Sequence, residues 1–220
     1  MTILITVLIV DDHELVRAGI RSLLAGVPGI KVIAEACNGE DALKISREKR
    51  PTVILMDVRM PGIGGLEATR KLLRADPEVK VIALTVYGEE PFPSKLLQAG
   101  AAGYLTKGSG LDEMVEAIHA VSAGKRYISS EVAQQLALKS LSDDKVSLFD
   151  ALSEREMQVM LMITSGQKVQ EISDKLCLSP KTVNSYRYRL FEKLAVNSDV
   201  ELTHLAMRHG ILDTETSTLV

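Results

Sequence analysis

Four short, mainly apolar runs in the first half of the chain each end at a polar residue that can take part in chemistry. These are 6–10 before Asp11 and Asp12, 53–56 before Asp57, 81–84 before Thr85, and 103–106 before Lys107. Short apolar runs bounded by turn residues are typical of parallel strands that are buried on both faces. Because parallel strands end at the same edge of a sheet, these polar side chains are expected to share one cleft.

Helix-like stretches alternate with these runs from residue 6 to residue 122. A fifth strand is predicted at 31–34. Helices are predicted at 15–25, 40–48, 66–74 and 111–122, and a further helix, entered near Pro91 and Pro93, is predicted to end at Ala99. In the last helix, apolar residues recur at helical spacing and form one face: Leu111, Met114, Val115, Ile118 and Val121. Strict alternation of strand and helix predicts an α/β fold with a doubly wound, five-stranded parallel sheet.

The second half of the chain has a helical pattern without strands. Ser153 followed by Glu156 predicts a capped helix start, and Ser179 followed by Pro180 predicts another. Further helices are predicted at 169–176, 180–194 and 200–209. The predicted organisation is an α/β domain over 1–124, a linker with a short helix over 125–150, a small all-α domain over 151–212 and a flexible tail over 213–220.

Composition narrows the class of protein. The net charge of −3 over 220 residues means that any surface for nucleic acid must be local. Cys37 and Cys177 lie far apart without metal-binding spacing, so both are expected to be buried and reduced. No apolar run approaches the ~20 residues of a membrane span, and the first residues lack the basic lead and cleavage site of a signal peptide. We therefore expect a cytoplasmic protein without membrane contact.

The predicted cleft suits one chemistry, a metal-assisted aspartyl phosphate. Clustered carboxylates need a compensating cation, and Mg²⁺ prefers oxygen ligands and accepts phosphate oxygens. Asp57 is the expected acceptor, with Asp11 and Asp12 as ligands. The Thr85 hydroxyl and the Lys107 ammonium would then orient the transferred oxygens. Taken singly, each residue could be a helix cap or a solvated loop residue, but four ordered strand ends favour the phosphoryl site.

Residues 6–122 resemble a response-regulator receiver domain. The motifs that carry the resemblance are Val-Asp11-Asp12-His, Met-Asp57-Val-Arg-Met-Pro61-Gly, Leu-Thr85 and Gly-Tyr104-Leu-Thr-Lys107. The resemblance implies that a sensor histidine kinase donates phosphoryl from a phosphohistidine to Asp57. It implies Mg²⁺ bound by Asp12, Asp57 and the backbone carbonyl of Arg59, with Asp11 helping through water or a hydrogen bond. It also implies that Thr85 moves toward the new phosphate and that Tyr104 changes rotamer.

A different class of protein uses the same nucleophile. Haloacid-dehalogenase-like phosphatases also phosphorylate an aspartate, but they need a second acid two residues after it. Here Arg59 stands two residues after Asp57. We therefore do not expect an enzyme, although slow self-dephosphorylation is compatible with a receiver.

The segment from Glu171 to Leu190 has the pattern of a helix-turn-helix. Its second helix is predicted to pack Val183, Leu190 and Leu194 inward and to turn polar side chains outward. The residues expected to contact DNA are Lys181, Thr182, Asn184, Ser185, Tyr186, Arg187, Tyr188 and Arg189. Amides and hydroxyls would face bases, whereas basic side chains and tyrosines would face phosphates. The alternatives are an ordinary solvated helix, or helices that dock a protein in a signalling adaptor.

Residues 152–212 resemble the four-helix DNA-binding domain of the LuxR/FixJ type. The matching residues are Leu152-Ser-Glu-Arg-Glu156, Glu171-Ile172, Leu178-Ser-Pro-Lys-Thr-Val183 and Lys193-Leu194. The resemblance implies a transcription factor. Helix-turn-helix proteins commonly bind two half-sites as twofold dimers, so we expect a homodimer on double-stranded, pseudo-palindromic promoter DNA. Asn184 and Tyr186 replace the basic residue and histidine of many members, so base recognition should differ. Further details resemble the GacA/UvrY group of global regulators. An apolar face around Leu202 would serve either dimer pairing or the domain's own core.

Overall fold

The structure is a computed structural model that describes residues 4–85, 92–141, 148–149, 151–209 and 211. The chain divides into two units, Met1–Lys145 and Val146–Val220. Across the described ranges, no helix combines the length and the apolar character needed to cross a bilayer. The predicted tail at 213–220 lies outside the described residues.

The first unit is a parallel sheet covered by helices. Its strands are β1 (Ile5–Val10), β2 (Ile30–Ala36), β3 (Val53–Asp57), β4 (Lys80–Thr85), β5 (Gly103–Thr106) and β6 (Tyr127–Ile128). Its helices are α1 (Glu14–Ala25), α2 (Gly39–Lys49), α3 (Gly64–Ala75), α4 (Phe92–Gln98), α5 (Leu111–Ser122) and α6 (Ser130–Leu141). The strand order is β2-β1-β3-β4-β5-β6, and every pair is parallel. The prediction of a doubly wound parallel sheet is confirmed.

Successive side chains of a strand point to opposite faces, and this alternation separates two apolar cores. Val7 and Ile9 of β1 face the core that α1 and α5 cover, with Leu24 and Ile118 among its residues. Leu8 and Val10 face the second core, which α2 and α3 cover. Because β1 is buried on both faces, it reads as a continuous apolar run, and it lies in the interior of the sheet next to β3.

The prediction of five strands is wrong in number, since β6 adds a sixth. Tyr127 pairs with Gly103 and Ile128 pairs with Tyr104, in a segment that was expected to belong to the linker. A strand of two residues contains too little alternation to be recognised in sequence. The Tyr127 hydroxyl donates to Glu116 of α5 at 3.3 Å, which ties the added strand to the first unit.

In the described part of the second unit there are four helices, α7 (Glu154–Thr164), α8 (Val169–Leu176), α9 (Pro180–Leu194) and α10 (Asp199–Arg208). The predicted cap at the start of α7 is confirmed, because Ser153 and Glu156 form a reciprocal capping box. Ser179 caps α9 and Pro180 occupies its first turn, also as predicted. The core includes residues from all four helices: Met157, Met160, Ile172, Leu176, Val183, Leu190, Leu194, Leu202 and Ala206.

The prediction of buried cysteines is wrong, because Cys37 and Cys177 are both exposed free thiols. Cys177 ends α8 with φ of 53° in the left-handed region, which creates the turn before α9. Cys37 stands beside Asn38, whose side chain caps α2. Both cysteines therefore lie at helix ends, where the backbone runs over the surface.

Glu156 connects the start of α7 to the end of α9. Its Oε2 atom accepts from Lys193 Nζ at 2.7 Å and from the Ser153 amide at 2.8 Å. Burial alone would raise the pKa of Glu156, but the hydrogen bonds from Lys193 and Ser153 outweigh it and lower the pKa below 4.5. The ionised form therefore stabilises the folded unit.

We expect Glu156→Gln to lower the free energy of unfolding of the second unit by about 1–2 kcal/mol near neutral pH. A depressed carboxyl pKa gives stability that is present above the unfolded pKa of 4.5 and is lost as pH falls through the folded pKa. The difference from the wild type should therefore shrink in acid. Denaturant unfolding followed from about pH 7 to about pH 3 measures this. Glu192→Gln, at an exposed position on α9, is the control. A pH-independent difference would contradict the prediction.

Candidate functional site

The carboxyl ends of β1 and β3 place two buried carboxylates side by side. Val10 pairs with Met56 in the sheet, so Asp11 and Asp57 follow neighbouring strands at the same edge. Asp11 is 0% exposed and Asp57 is 2% exposed, whereas Asp12 is exposed. The edge predicted from the strand pattern is therefore the place where these side chains meet.

Lys107 bridges the two buried carboxylates. Its Nζ atom lies 2.7 Å from Oδ2 of Asp11 and 2.9 Å from Oδ2 of Asp57. The other oxygen of each carboxylate accepts from a backbone amide two residues later. Oδ1 of Asp11 accepts from His13 at 2.8 Å, and Oδ1 of Asp57 accepts from Arg59 at 3.1 Å. Both carboxylates are thus oriented by one backbone contact and one shared cation.

Burial and charge shift the pKa values of Asp57 and Lys107. Burial raises the pKa of Asp57 from 3.8 to about 6, and Lys107 only partly opposes this shift while Asp11 adds to it. Burial alone would lower the pKa of Lys107, but the charge of Asp57 and the contacts with Asp11 hold it above its ordinary value. Lys107 is therefore favoured as a cation in the cleft, whereas the charged form of Asp57 is disfavoured by burial.

Thr85 ends the strand next to Asp57, and Tyr104 lies one strand further along the sheet. Leu84 pairs with Asp57, so Thr85 ends β4 at the same edge, where it is buried. The amide of Lys107 donates to the carbonyl of Thr85, which brings the backbones of these two residues together. Tyr104 lies in the middle of β5 and is fully buried. The roles of Thr85 and Tyr104 as switch residues stay predictions.

Among the residues that the structure describes, four side chains at this edge could hold a metal ion. Asp11, Asp12, His13 and Asp57 each offer a ligand atom, and these atoms lie within 4.8 Å of one another. Three of the four are carboxylates, which are the hard oxygen donors that Mg²⁺ prefers, so the donor set fits that ion. The amide contact with Asp57 holds the Arg59 backbone against the cleft. The assignment of the Arg59 carbonyl as a ligand stays a prediction.

Two residues that support this edge were missed by sequence reasoning. The guanidinium of Arg17 donates to the carbonyl of Asp11 at 2.7 Å and pairs with Glu35 of β2 at 3.4 Å. Nδ1 of His13 lies 2.8 Å from Oδ1 of Asp12. The only sequence signal for either was position, directly after the acidic pair for His13 and one helical turn further for Arg17.

The loop after Asp57 depends on glycine at two kinds of position. Gly62 and Gly64 have φ of +84° and +69°, a backbone region that favours glycine. A Cβ atom at Gly65 would clash with the carbonyl oxygen of Asp57. The start of α3 can therefore approach the end of β3 closely, and Thr69 Oγ1 secures it by donating to the Gly65 carbonyl at 2.8 Å.

In the second unit, α9 turns a polar face outward. Val183, Leu190 and Leu194 are buried as predicted. Lys181, Ser185, Tyr188 and Arg189 are exposed, and Thr182, Asn184 and Tyr186 are half-buried beside them. The Arg189 guanidinium lies 5.9 Å from the centre of the Tyr186 ring, a cation–π distance. This exposed face combines basic, hydroxyl and amide groups at helical spacing.

Arg187 differs from the other residues that were predicted to contact DNA. Its Nε and Nη2 atoms each lie 2.7 Å from an oxygen of Asp199, at the start of α10. Its guanidinium also lies 5.3 Å from the centre of the Phe191 ring. A bidentate ion pair of this kind fixes the orientation of Arg187 toward α10, so positioning of α9 is the role that its contacts support.

Arg187→Ala and Asp199→Ala should each lower the free energy of unfolding of the second unit by about 1 kcal/mol, because both remove the same half-exposed pair. The double variant should lose no more stability than the more destabilised single variant does. The coupling energy between Arg187 and Asp199 is therefore expected to be about 1 kcal/mol. Denaturant unfolding of the four proteins measures this coupling. Additive effects would instead show that Arg187 and Asp199 act independently.

Comparisons with known proteins match both units. Residues 7–119 match the family described as response regulator receiver domain, and residues 150–206 match bacterial regulatory proteins of the luxR family. The response regulator GacA of Pseudomonas protegens is 65% identical over 210 residues, which cover 96% of this chain and 99% of the relative. The response regulator UvrY of Escherichia coli K12 is 61% identical over 214 residues, covering 97% and 98%.

Solved structures match the same architecture. An RcsB response regulator of Salmonella typhimurium aligns with a TM-score of 0.74 and 25% identity, covering 94% of this chain and 98% of that chain. RcsB of Salmonella enterica serovar Typhimurium, bound to promoter rprA with the phosphomimetic BeF3⁻, aligns at 0.70 and 25%, covering 91% and 97%. These matches span both units and agree with the motifs at the acidic cleft and on α9. The chain belongs to the response regulators that join a receiver domain to a LuxR-type DNA-binding domain.

Proposed function

We propose that this chain is a phosphorylation-dependent transcriptional regulator that accepts phosphoryl from a sensor histidine kinase on Asp57. The observation that carries the proposal is the Lys107 ammonium within 2.9 Å of both buried carboxylates, beside the open carboxylate of Asp12. The shared cation and the open edge suit an incoming phosphoryl group. That group brings negative charge to carboxylates that are already crowded, so a cation beside them is needed to compensate for it.

The chain's own residues account for most of the transfer. An oxygen of Asp57 forms the new O–P bond as the N–P bond of the phosphohistidine breaks, and the departing imidazole takes up a proton. Bound at Asp11, Asp12 and Asp57, Mg²⁺ would neutralise charge on the transferred oxygens. Lys107 remains next to Asp57 and neutralises a further oxygen. Asp57 stays oriented because the Arg59 amide holds its Oδ1 atom.

The phosphate would then change the surface of the receiver. It adds charge and acceptor oxygens next to the end of β4, where the Thr85 hydroxyl can move toward it. Movement there would give space to the buried ring of Tyr104 on the neighbouring strand. We propose that this shift favours a homodimer, whose two α9 helices would bind the two halves of a pseudo-palindromic promoter.

The test uses the full chain with acetyl phosphate and Mg²⁺. We expect acid-stable, base-labile label on Asp57 and tighter binding to promoter DNA after labelling than before. Capture of genomic DNA by the wild type and by Asp57→Asn, side by side, would identify the phosphorylation-dependent sites. Labelling without binding to any duplex would reject the transcription-factor proposal and favour an adaptor that docks proteins.

A further inference from the structure

His13 adds a nitrogen donor to the acidic edge. We propose that the phosphorylation pocket is a mixed imidazole–carboxylate site that binds transition-series divalent cations such as Co²⁺, Ni²⁺ and Zn²⁺, with Nδ1 of His13 as a ligand. The inference rests on the proposed phosphorylation pocket and gives it a metal preference. These cations would compete with Mg²⁺ for Asp12 and Asp57.

The geometry already gathers the donor atoms. Nδ1 of His13 lies 2.8 Å from Oδ1 of Asp12 and 3.3 Å from Oδ1 of Asp11. The ligand atoms of His13, both of these aspartates and Asp57 are all within 4.8 Å of one another. Ligand atoms around one small cation lie at comparable separations, since metal–ligand bonds are about 2 Å long. Only a small closing movement is needed to bring the four donors onto one ion.

The backbone of His13 is held so that its ring stays beside the carboxylates. Its amide donates to Asp11 Oδ1 at 2.8 Å, and its carbonyl accepts from the Arg17 amide at 3.2 Å. His13 occupies the N-cap position of α1, but its side chain makes no capping hydrogen bond. The imidazole is 68% exposed, so little packing opposes a small reorientation toward a bound ion.

The donor chemistry determines which cations gain. Carboxylate and water oxygens satisfy Mg²⁺, which gains little from an imidazole. Imidazole nitrogen is a preferred ligand of Zn²⁺, Co²⁺ and Ni²⁺, whose affinities for a mixed site also exceed those of harder ions. A pocket that includes His13 should therefore favour Zn²⁺, Co²⁺ and Ni²⁺ over Mg²⁺ more strongly than a pocket of carboxylates alone.

Co²⁺ is the probe, because its visible absorption reports a nitrogen ligand without any phosphorylation. Equilibrium dialysis with Co²⁺ and, separately, with Mg²⁺ should be done on the wild-type chain and on His13→Asn. We expect His13→Asn to weaken Co²⁺ binding by about 10-fold or more and to change the Co²⁺ spectrum, with Mg²⁺ affinity altered less than about 2-fold. Asp12→Asn should weaken both ions.

The matched control is His119→Asn, which removes an exposed histidine on α5 and should leave both affinities unchanged. Equal Co²⁺ binding by the wild type and His13→Asn would overturn the inference, as would an equal loss for both ions. Either result, with Mg²⁺ still bound, would leave the proposed phosphorylation pocket standing. If the wild type bound neither ion, the proposed pocket itself would fail.

Discussion

Asp57→Asn should lower labelling by acetyl phosphate more than about 100-fold. The same substitution should stabilise the first unit by about 1–3 kcal/mol near pH 8. An amide cannot replace the carboxylate as phosphoryl acceptor, which accounts for the loss of labelling. The gain in stability follows from the buried position of Asp57, since desolvation is the largest cause of its raised pKa. The side chain that is needed for function is thus expected to oppose folding.

The sign of the pH dependence follows from the two pKa values of Asp57. Its pKa is 3.8 in the unfolded chain and about 6 in the folded protein. Between these values the folded state binds more protons, so the contribution to stability is complete below about pH 4 and is lost as pH rises through about 6. A difference of this size corresponds to at most about 3 kcal/mol.

Denaturant unfolding of the wild type and Asp57→Asn in EDTA, from about pH 4 to about pH 8, measures this contribution. The wild type should lose stability relative to the variant across this range, and Mg²⁺ should restore part of the loss at pH 8. Glu48→Gln, at an exposed position on α2, should show no such trend. Parallel pH profiles of the wild type and Asp57→Asn would contradict the prediction.

The position of the acidic cleft could be predicted because it depends on regular features of the chain. Buried strands form apolar runs, and parallel strands end at one edge, so the sequence predicts that Asp57 and Lys107 lie together. Helix starts could be predicted equally well, since a cap such as Ser153 makes its hydrogen bonds with residues only a few positions away. Both kinds of information are local or periodic, and sequence patterns contain them directly.

Contacts between distant side chains could not be predicted in this way. Asp199 lies 12 positions after Arg187, and no periodicity indicates that the two form a bidentate pair. The side chain of His13 could have faced solvent or the helix end, and no sequence pattern indicates that its Nδ1 atom lies beside Asp12. β6 was missed for a related reason, because two residues form a strand only when a neighbouring edge accepts them.

The DNA-binding unit gives the second large expected effect, which separates two kinds of contact on α9. Lys181 and Arg189 are exposed and basic, so they are expected to contact phosphates. Replacing either with alanine should weaken binding to matched and scrambled duplexes alike. The slope of log affinity against log salt should also fall by about 1 for each contact that is removed.

Asn184→Ala should act differently, because an amide can pair with two atoms of one base edge. We expect it to weaken binding to the preferred site by about 1–3 kcal/mol, to leave binding to scrambled DNA unchanged and to preserve the salt slope. Salt-titrated binding of the phosphorylated full chain to both duplexes distinguishes the two roles. Lys44→Ala, which removes an exposed charge from α2, controls for net charge. If Asn184→Ala weakened both duplexes equally, α9 would be contacting the DNA backbone there, and base recognition would have to come from other residues.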